Sequence, residues 1–269
     1  MLFRRVLDHV RSQNWLAVGI DFVIVVVGVF IGIQVSNWNE ARVNRDAEAA
    51  YLELLQQDLR ASIVEVESQI EFEQFMVEIG NGVLPLIDGQ PSELRRRKIG
   101  MTLDQLGARR TLIIESPTFL DLQSSGRLGL ISNPDLRRAI VSYFFGIKRL
   151  EAVIDKNNAT FIDDGFNRFT DDISVGSWVW DTEIMGMAAP AVFDTINQTR
   201  RERIDPSLMA TGGSVLMLPA SADVWSDVKS RVGKRSGVAA ANEAIANRLR
   251  SETVELESRI EAYLGGADQ

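Results

Sequence analysis

A twenty-residue apolar stretch near the amino end constrains this chain more than any other feature. Residues 16–35 contain a single ionisable side chain, Asp21, and lie between Trp15 and Trp38. At about 1.5 Å per residue, a helix of this length covers roughly 30 Å, the thickness of the hydrocarbon core of a bilayer. Tryptophan is enriched at both membrane interfaces. The sequence therefore predicts a transmembrane helix over residues 15–38.

Two other interpretations of this stretch fit less well. A secretory signal peptide has an apolar core of roughly 7 to 15 residues and ends at a small-residue cleavage site. Here the apolar run is longer and continues into Gln-Val-Ser-Asn-Trp-Asn-Glu. A buried helix of a soluble domain would need neither this length nor the flanking tryptophans. We therefore expect an uncleaved anchor.

The flanks of the span predict its orientation. Three arginines precede it within residues 1–14, and two follow it within residues 36–55. Because positive residues are retained on the cytoplasmic side, this bias predicts a short cytoplasmic amphipathic segment, 1–14, and an extracytoplasmic domain, 39–269. The chain has no cysteine, so its composition does not indicate whether the compartment is oxidising or reducing. Its net charge of −8 offers no basic face for nucleic acid.

The part of the chain after the span has a helical pattern. Apolar residues recur at steps of three and four from residue 39 to about residue 80, and neither proline nor glycine interrupts residues 34–79. The span is therefore predicted to continue as one long helix, which should end among Gly80, Gly82, Pro85, Gly89 and Pro91.

Further start and stop signals divide the remainder. Helices are predicted from Ser92 to about Leu106, from Ser116-Pro117 to Ser124, and from Asn133-Pro134 to Asn157 or onwards to Phe169. Residues 95–98 are basic and point all around their helix, which favours a solvated surface. Residues 111–115 fit either a short strand or a buried linker, residues 212–219 look extended, and a last helical region opens at Ser221 or Ala222 and runs to Leu264.

Three of these helices are long and polar on one face, so each needs apolar partners. An antiparallel bundle supplies them, and we expect an all-α fold in which the transmembrane helix continues into a helix of the bundle.

Two stretches resemble a known family. The run from Ile20 to Glu40, with an acid, a Val/Gly-rich span and an Asn-Trp-Asn-Glu exit, is similar to the signature of bacterial single-pass membrane proteins grouped as a domain of unknown function. Residues 119–131, containing Leu122-Gln123-Ser124-Ser125-Gly126, resemble a second segment of that family. The resemblance spans roughly residues 1–160. It implies bacterial origin and a helical extracytoplasmic body, and it brings no known activity and no catalytic residues.

The single acid of the span shares one stripe with two glycines. On a helix that advances about 100° per residue, Gly28 and Gly32 fall within roughly 20° of Asp21. Gly28 and Gly32 have the spacing that lets two transmembrane helices approach closely, and Asp21 could bond to a partner helix. Two other roles for Asp21 stay open: setting the depth of the helix near the headgroups, and handling ions, as in proton-path subunits of energy-transducing and flagellar motor complexes.

The exit from the span is predicted to anchor the chain in the interface. Trp38 would lie among the headgroups, as Trp15 would at the other end, while Asn37 and Asn39 contact headgroups or cap local backbone. A docking collar for a partner protein is the alternative. Farther along, Trp178 and Trp180 are expected to complete a core rather than to form a ligand platform.

Enzymatic chemistry has little support in this sequence. The single histidine, His9, is predicted to lie across the membrane from the body, so neither a Ser-His dyad nor a His-ligated zinc site can form there. We expect no cofactor, metal site or catalytic residue. The expected function is that of a non-enzymatic accessory or scaffold subunit that contacts lipids and either another membrane protein or a second copy. The alternatives are an extracytoplasmic ligand sensor that signals laterally, and an ion-path subunit that uses Asp21.

Overall fold

The apolar stretch opens one very long helix. The computed structural model describes residues 15–173 and 214–267, and in it helix α1 (Trp15–Ile87) runs for 73 residues without interruption. The predicted continuation of the span is thus confirmed, and the helix ends between two of the predicted stop signals, Pro85 and Gly89. The helix passes Gly80, Gly82 and Pro85 because Val83 and Ile87, both almost fully buried, hold its last turns against the core. A side chain at Gly80 would collide with Ser236, so glycine there lets another helix approach closely.

The remaining elements are also helical. In chain order they are α2 (Glu93–Leu106), α3 (Pro117–Ser124), a 3-10 turn (Arg127–Leu130), α4 (Pro134–Asn157), a π-helical segment (Asn158–Asn167), α5 (Arg168–Asp172), a second 3-10 turn (Ser214–Met217) and α6 (Val224–Ala267). No strand occurs within the described ranges. The all-α prediction is confirmed for this part of the chain.

The predicted helix starts are confirmed by their caps. The Ser92 hydroxyl accepts from the Arg95 N–H at 3.2 Å, and the Ser116 hydroxyl accepts from the Phe119 N–H at 3.1 Å. The Asn133 side chain accepts from the backbone N–H groups of the next turn at 2.9 and 3.0 Å. Each cap satisfies amides that have no partner inside the helix, which is why Ser and Asn mark these starts in the sequence.

Other local predictions are resolved or corrected. Residues 111–115 form a linker with Leu112 and Ile114 buried, not a strand. Residues 214–217 are a 3-10 turn rather than extended, and the last helix begins at Val224 and runs unbroken to Ala267. Segment 1–14, Trp178, Trp180 and residues 212–213 lie outside the described residues.

Helices α1 and α6 form an antiparallel pair, as the predicted bundle requires. Ion pairs between Arg60 and Glu257, and between Glu67 and Arg250, fix the opposed directions. Apart from Ile70 and Phe72, which are also buried in α1, the buried positions of both helices alternate at steps of three and four, the heptad pattern of a coiled coil. They are Glu48, Leu52, Leu55, Leu59, Ser62, Val66, Gln69, Glu73, Met76, Gly80, Val83 and Ile87 in α1, and Trp225, Val228, Val232, Arg235, Ala239, Asn242, Ala246, Leu249, Thr253, Leu256 and Ile260 in α6.

The other helices flank this pair in two groups. Helix α4 packs mainly on α6, near the end of the body where α1 enters it, and α2 packs on α1 at the far end. The apolar core is correspondingly divided into a proximal cluster that includes Leu55, Phe144 and Leu249, and a distal cluster that includes Met76 and Trp225.

Candidate functional site

The first part of α1 makes no packing contact with the body. Residues 19–46 are all exposed, and the most apolar window of the helix has a mean hydropathy of 2.2 with none of it buried. By length and composition this is the one helix among the described residues that could cross a membrane. An isolated apolar surface of this size is unfavourable in water, so it needs either lipid or a partner around it.

The predicted seam residues lie within this exposed part. Asp21, Gly28 and Gly32 are exposed on one continuous helix. A methyl group built on Gly28 or Gly32 would meet no atom of the described chain within 4 Å. No described part of the chain therefore covers the seam, and its role stays a prediction.

The predicted membrane-exit anchor separates the apolar stretch from the body. Asn37 and Asn39 are exposed, and 64% of the Trp38 surface is accessible. The first buried residue beyond them is Glu48. At about 1.5 Å per residue, the body begins roughly 20 Å beyond Val35. We call residues 36–46 the neck. The Trp15 side chain is not among those described.

A buried polar layer, which was not predicted from the sequence, lies between the two apolar clusters. It consists of Gln69 and Glu73 on α1 and Arg235 and Asn242 on α6, each no more than 1% exposed. One Glu73 oxygen accepts from Gln69 Nε2 at 2.8 Å and from Asn242 Nδ2 at 3.1 Å. The other, Oε2, lies 3.8 Å from Arg235 Nη1, too far for a direct hydrogen bond.

This arrangement shifts the proton affinity of both charged groups. Burial raises the pKa of Glu73 from 4.5 to about 7, and the nearby Arg235 charge and the two amide hydrogen bonds offset only part of that effect. Burial likewise lowers the pKa of Arg235. Glu73 Oε2, Arg235 Nη1 and Gln69 Oε1 make no hydrogen bond among the described residues. The layer can therefore take up a proton near neutral pH without leaving the core.

The polar layer also joins the other helices to the coiled coil. The Arg235 guanidinium donates to the Leu106 carbonyl at 2.8 Å and to the Ala108 carbonyl at 3.0 Å, at the end of α2. The Asn242 carbonyl oxygen accepts from Asn157 Nδ2 at 2.8 Å, where α4 gives way to the π-helical segment. Polar groups at heptad core positions fix the register of paired helices. This layer bonds α1 and α6 to each other and to the ends of α2 and α4, so it relates four segments at once.

A signal for this layer is present in the sequence. Gln69 and Glu73 continue the steps of three and four that begin at Leu52, and Arg235 and Asn242 do the same in α6. A strict heptad count would have placed all four on the buried side. The predicted amphipathic pattern rests on apolar residues alone. It therefore did not indicate that these four polar residues, at the same heptad positions, are buried.

Arg95 corrects the prediction of a solvated basic face. Only 5% of it is exposed, and its guanidinium donates to carbonyls at the end of α1, including that of Ile87 at 2.6 Å. It also donates to the Leu216 and Leu218 carbonyls and lies 4.6 Å above the Trp225 ring. The last carbonyls of a helix lack intrahelical partners, so a cation that reaches them is stabilised there. Arg96 and Arg97 instead pair with Glu93 at the surface.

Other candidate sites are weak in the described part of the chain. No group of three or more carboxylates or histidines there is placed to hold a metal ion. A groove of about 250 Å³ between α4 and α6 is lined by Tyr143, Glu252 and Arg259 among others. The Tyr143 hydroxyl is engaged with Thr253 at 2.7 Å.

The comparison with family models finds one match. Residues 21–145 match a family of unknown function, DUF6090. The matched part begins at Asp21, contains the neck, α2 and α3, and ends inside α4. Gln69 and Glu73 of the polar layer lie within it, and their partners on α6 lie outside it. The chain is thus similar, over this part, to a family of unknown function, as the sequence resemblance implies. Neither the curated proteins nor the solved structures give a match.

Proposed function

We propose that this chain is a bitopic protein of a bacterial inner membrane and acts as a non-enzymatic accessory or scaffold subunit. Its amino-terminal segment lies in the cytoplasm and its helical body in the periplasm. The observation that carries the proposal is the continuity of α1, which is exposed and apolar at one end and the central helix of a bundle at the other. Such a helix couples a membrane-embedded contact rigidly to the position of the body.

The proposed contact in the membrane is the seam of Asp21, Gly28 and Gly32. Small residues allow close backbone approach, and an acid near the end of the span gains from a partner that bonds to it. No described part of the chain covers these three residues, so the partner is another membrane protein or a second copy. The body supplies the second set of contacts, along the outer faces of the α1 and α6 pair.

Cysteine cross-linking tests this proposal without interference from native thiols, because the natural chain contains no cysteine. A cysteine in place of Gly32 should cross-link efficiently in native membranes, whereas one in place of Phe30, on a different face, should cross-link poorly. Purification in mild detergent then identifies what is attached. A stoichiometric membrane protein or a dimer supports the subunit role, and a lone monomer with uniform cross-linking around the helix contradicts it.

Topology requires its own test. A single cysteine at Ser226, in the body, should react with a membrane-impermeant maleimide in intact spheroplasts, and one at Ser12 should react only after lysis. The opposite result would place the body in the cytoplasm.

A further inference from the structure

The neck carries a stripe whose chemistry differs from that of the seam. Taking about 100° per residue, Arg42 lies roughly 40° and Arg45 roughly 20° from Trp38 around the helix axis, on either side of it. Glu40 lies about 160° away. One face of the neck therefore presents an indole and two guanidinium groups, which we call the Trp-Arg stripe.

Neither arginine of the stripe has a partner within the described chain. Arg60, about three turns into the body on the same helix, is paired with Glu257 at 2.7 Å. Arg42 and Arg45 are exposed and form no ion pair, even though Asp46 is one turn beyond Arg42. Their charges are thus available to an external anion.

Trp38 lies at the height of the headgroup layer, and the two arginines of the stripe lie just beyond it. Relative to Val35, Trp38 lies about 4.5 Å along the axis, Arg42 about 10 Å and Arg45 about 15 Å. The headgroup region extends roughly 5 to 8 Å beyond the hydrocarbon. Side chains on a helix lean towards its amino end, so both arginines lean back towards the bilayer and can reach phosphate with their long stems.

We propose that the Trp-Arg stripe is a binding surface for the headgroups of anionic phospholipids. This inference rests on the proposed membrane span and adds a lipid class to it. Guanidinium groups bind phosphate through paired N–H donors, and the indole occupies the interface below them. The seam lies roughly 100° from Trp38 on the same helix, so a protein partner on the seam leaves the stripe open to lipid.

Spin-labelled lipids measure this selectivity directly. The full chain is reconstituted in phosphatidylcholine vesicles containing a trace of spin-labelled phosphatidylglycerol or spin-labelled phosphatidylcholine, and the motionally restricted fraction gives the relative association of each lipid. The natural chain should prefer phosphatidylglycerol, and each arginine removed should lower that preference about fivefold. The double variant R42Q/R45Q should approach no preference, and R42K/R45K should retain most of it.

A matched control removes the same charge from the body. Arg149 and Lys156 are exposed on α4 and form no ion pair with the described residues, so R149Q/K156Q should leave the lipid preference unchanged. The inference is overturned if the natural chain shows no preference, if R42Q/R45Q keeps the full preference, or if that variant changes only the oligomeric state, which would make the stripe a protein contact. Flotation separates the two proposals: a chain that does not float with the vesicles refutes the span itself, whereas a chain that floats without lipid preference refutes only the inference.

Discussion

The two parts of α1 show how one helix can serve two environments. Residues 48–87 bury a heptad stripe against α6, so every turn has a partner from the same chain. Residues 19–35 bury nothing, although they are far more apolar. Hydrophobicity alone therefore does not predict which part of this helix lies in the core. What decides it is whether a second helix of the chain runs alongside.

The difference also separates stability from association. Residues 48–87 pack inside the body, and the polar layer that they form with α6 fixes the register of the helices. Residues 19–46 do not pack against the described part of the body and are available to lipid or protein. Substitutions in the two parts should consequently change different measured quantities.

The largest expected effect lies in the polar layer. Replacing Arg235 with alanine leaves Glu73 buried without its counter-charge and frees the carbonyls at the end of α2. The free energy of unfolding should fall by about 3 to 5 kcal/mol at pH 8, where Glu73 is ionised. Urea denaturation of the full chain in detergent measures this. The paired variant E73L/R235L should recover most of the loss, and an equal loss in both variants would show that the charges do not interact.

A matched pair of truncations compares the two parts of α1 directly. Leu59 is fully buried, and L59A should destabilise the body by about 2 to 5 kcal/mol through lost burial and a residual cavity. Val27 is 47% exposed, and V27A should leave the unfolding of the body within about 0.5 kcal/mol of the natural chain. If V27A destabilised the body as strongly as L59A, the separation of the two parts would be wrong.

The pH dependence of stability should report Glu73. Its pKa is raised from 4.5 to about 7 in the folded chain, so the folded state binds the extra proton between these values. The stabilisation is complete below about pH 4.5 and is lost as the pH rises through 7, an effect of about 3 kcal/mol for this shift. The charges facing Glu73 are Arg235 and Glu243. The variant E73Q should flatten the profile between pH 5 and 8, and an unchanged slope would assign the titration to another group.

The smallest effect on the body, and the largest on assembly, is expected at the seam. In G28L the added Cβ meets no atom of the described chain within 4 Å, and residue 28 lies far from the body, so the thermal unfolding of the body should not change. Close approach by a neighbouring helix should be blocked. The fraction of chain recovered in a complex after mild-detergent purification should therefore fall, while V29L, on another face, should not lower it. Full recovery with G28L would remove the seam from the interaction.

Much of the local structure follows from local signals in the sequence. Ser92, Ser116 and Asn133 cap the helices that they predict, because a side-chain oxygen beside unpaired amides acts within one turn. The continuation of the span also follows, since nothing between residues 34 and 79 interrupts a helix. The end of α1 follows only in part. The helix stops before Gly89 as predicted, but Gly80, Gly82 and Pro85 do not end it because its last turns pack on the core.

The chain by itself determined the helical class, the apolar stretch with its one acid, and the starts of the helices, all of which depend on interactions within a few residues. Only the tertiary structure decided that Arg95 and Arg235 lie inside and that Glu73 binds protons near pH 7. It also decided that no other described segment packs on the apolar stretch. These properties depend on which distant segments come together, since desolvation and the pairing of charges arise only when a second helix covers the first.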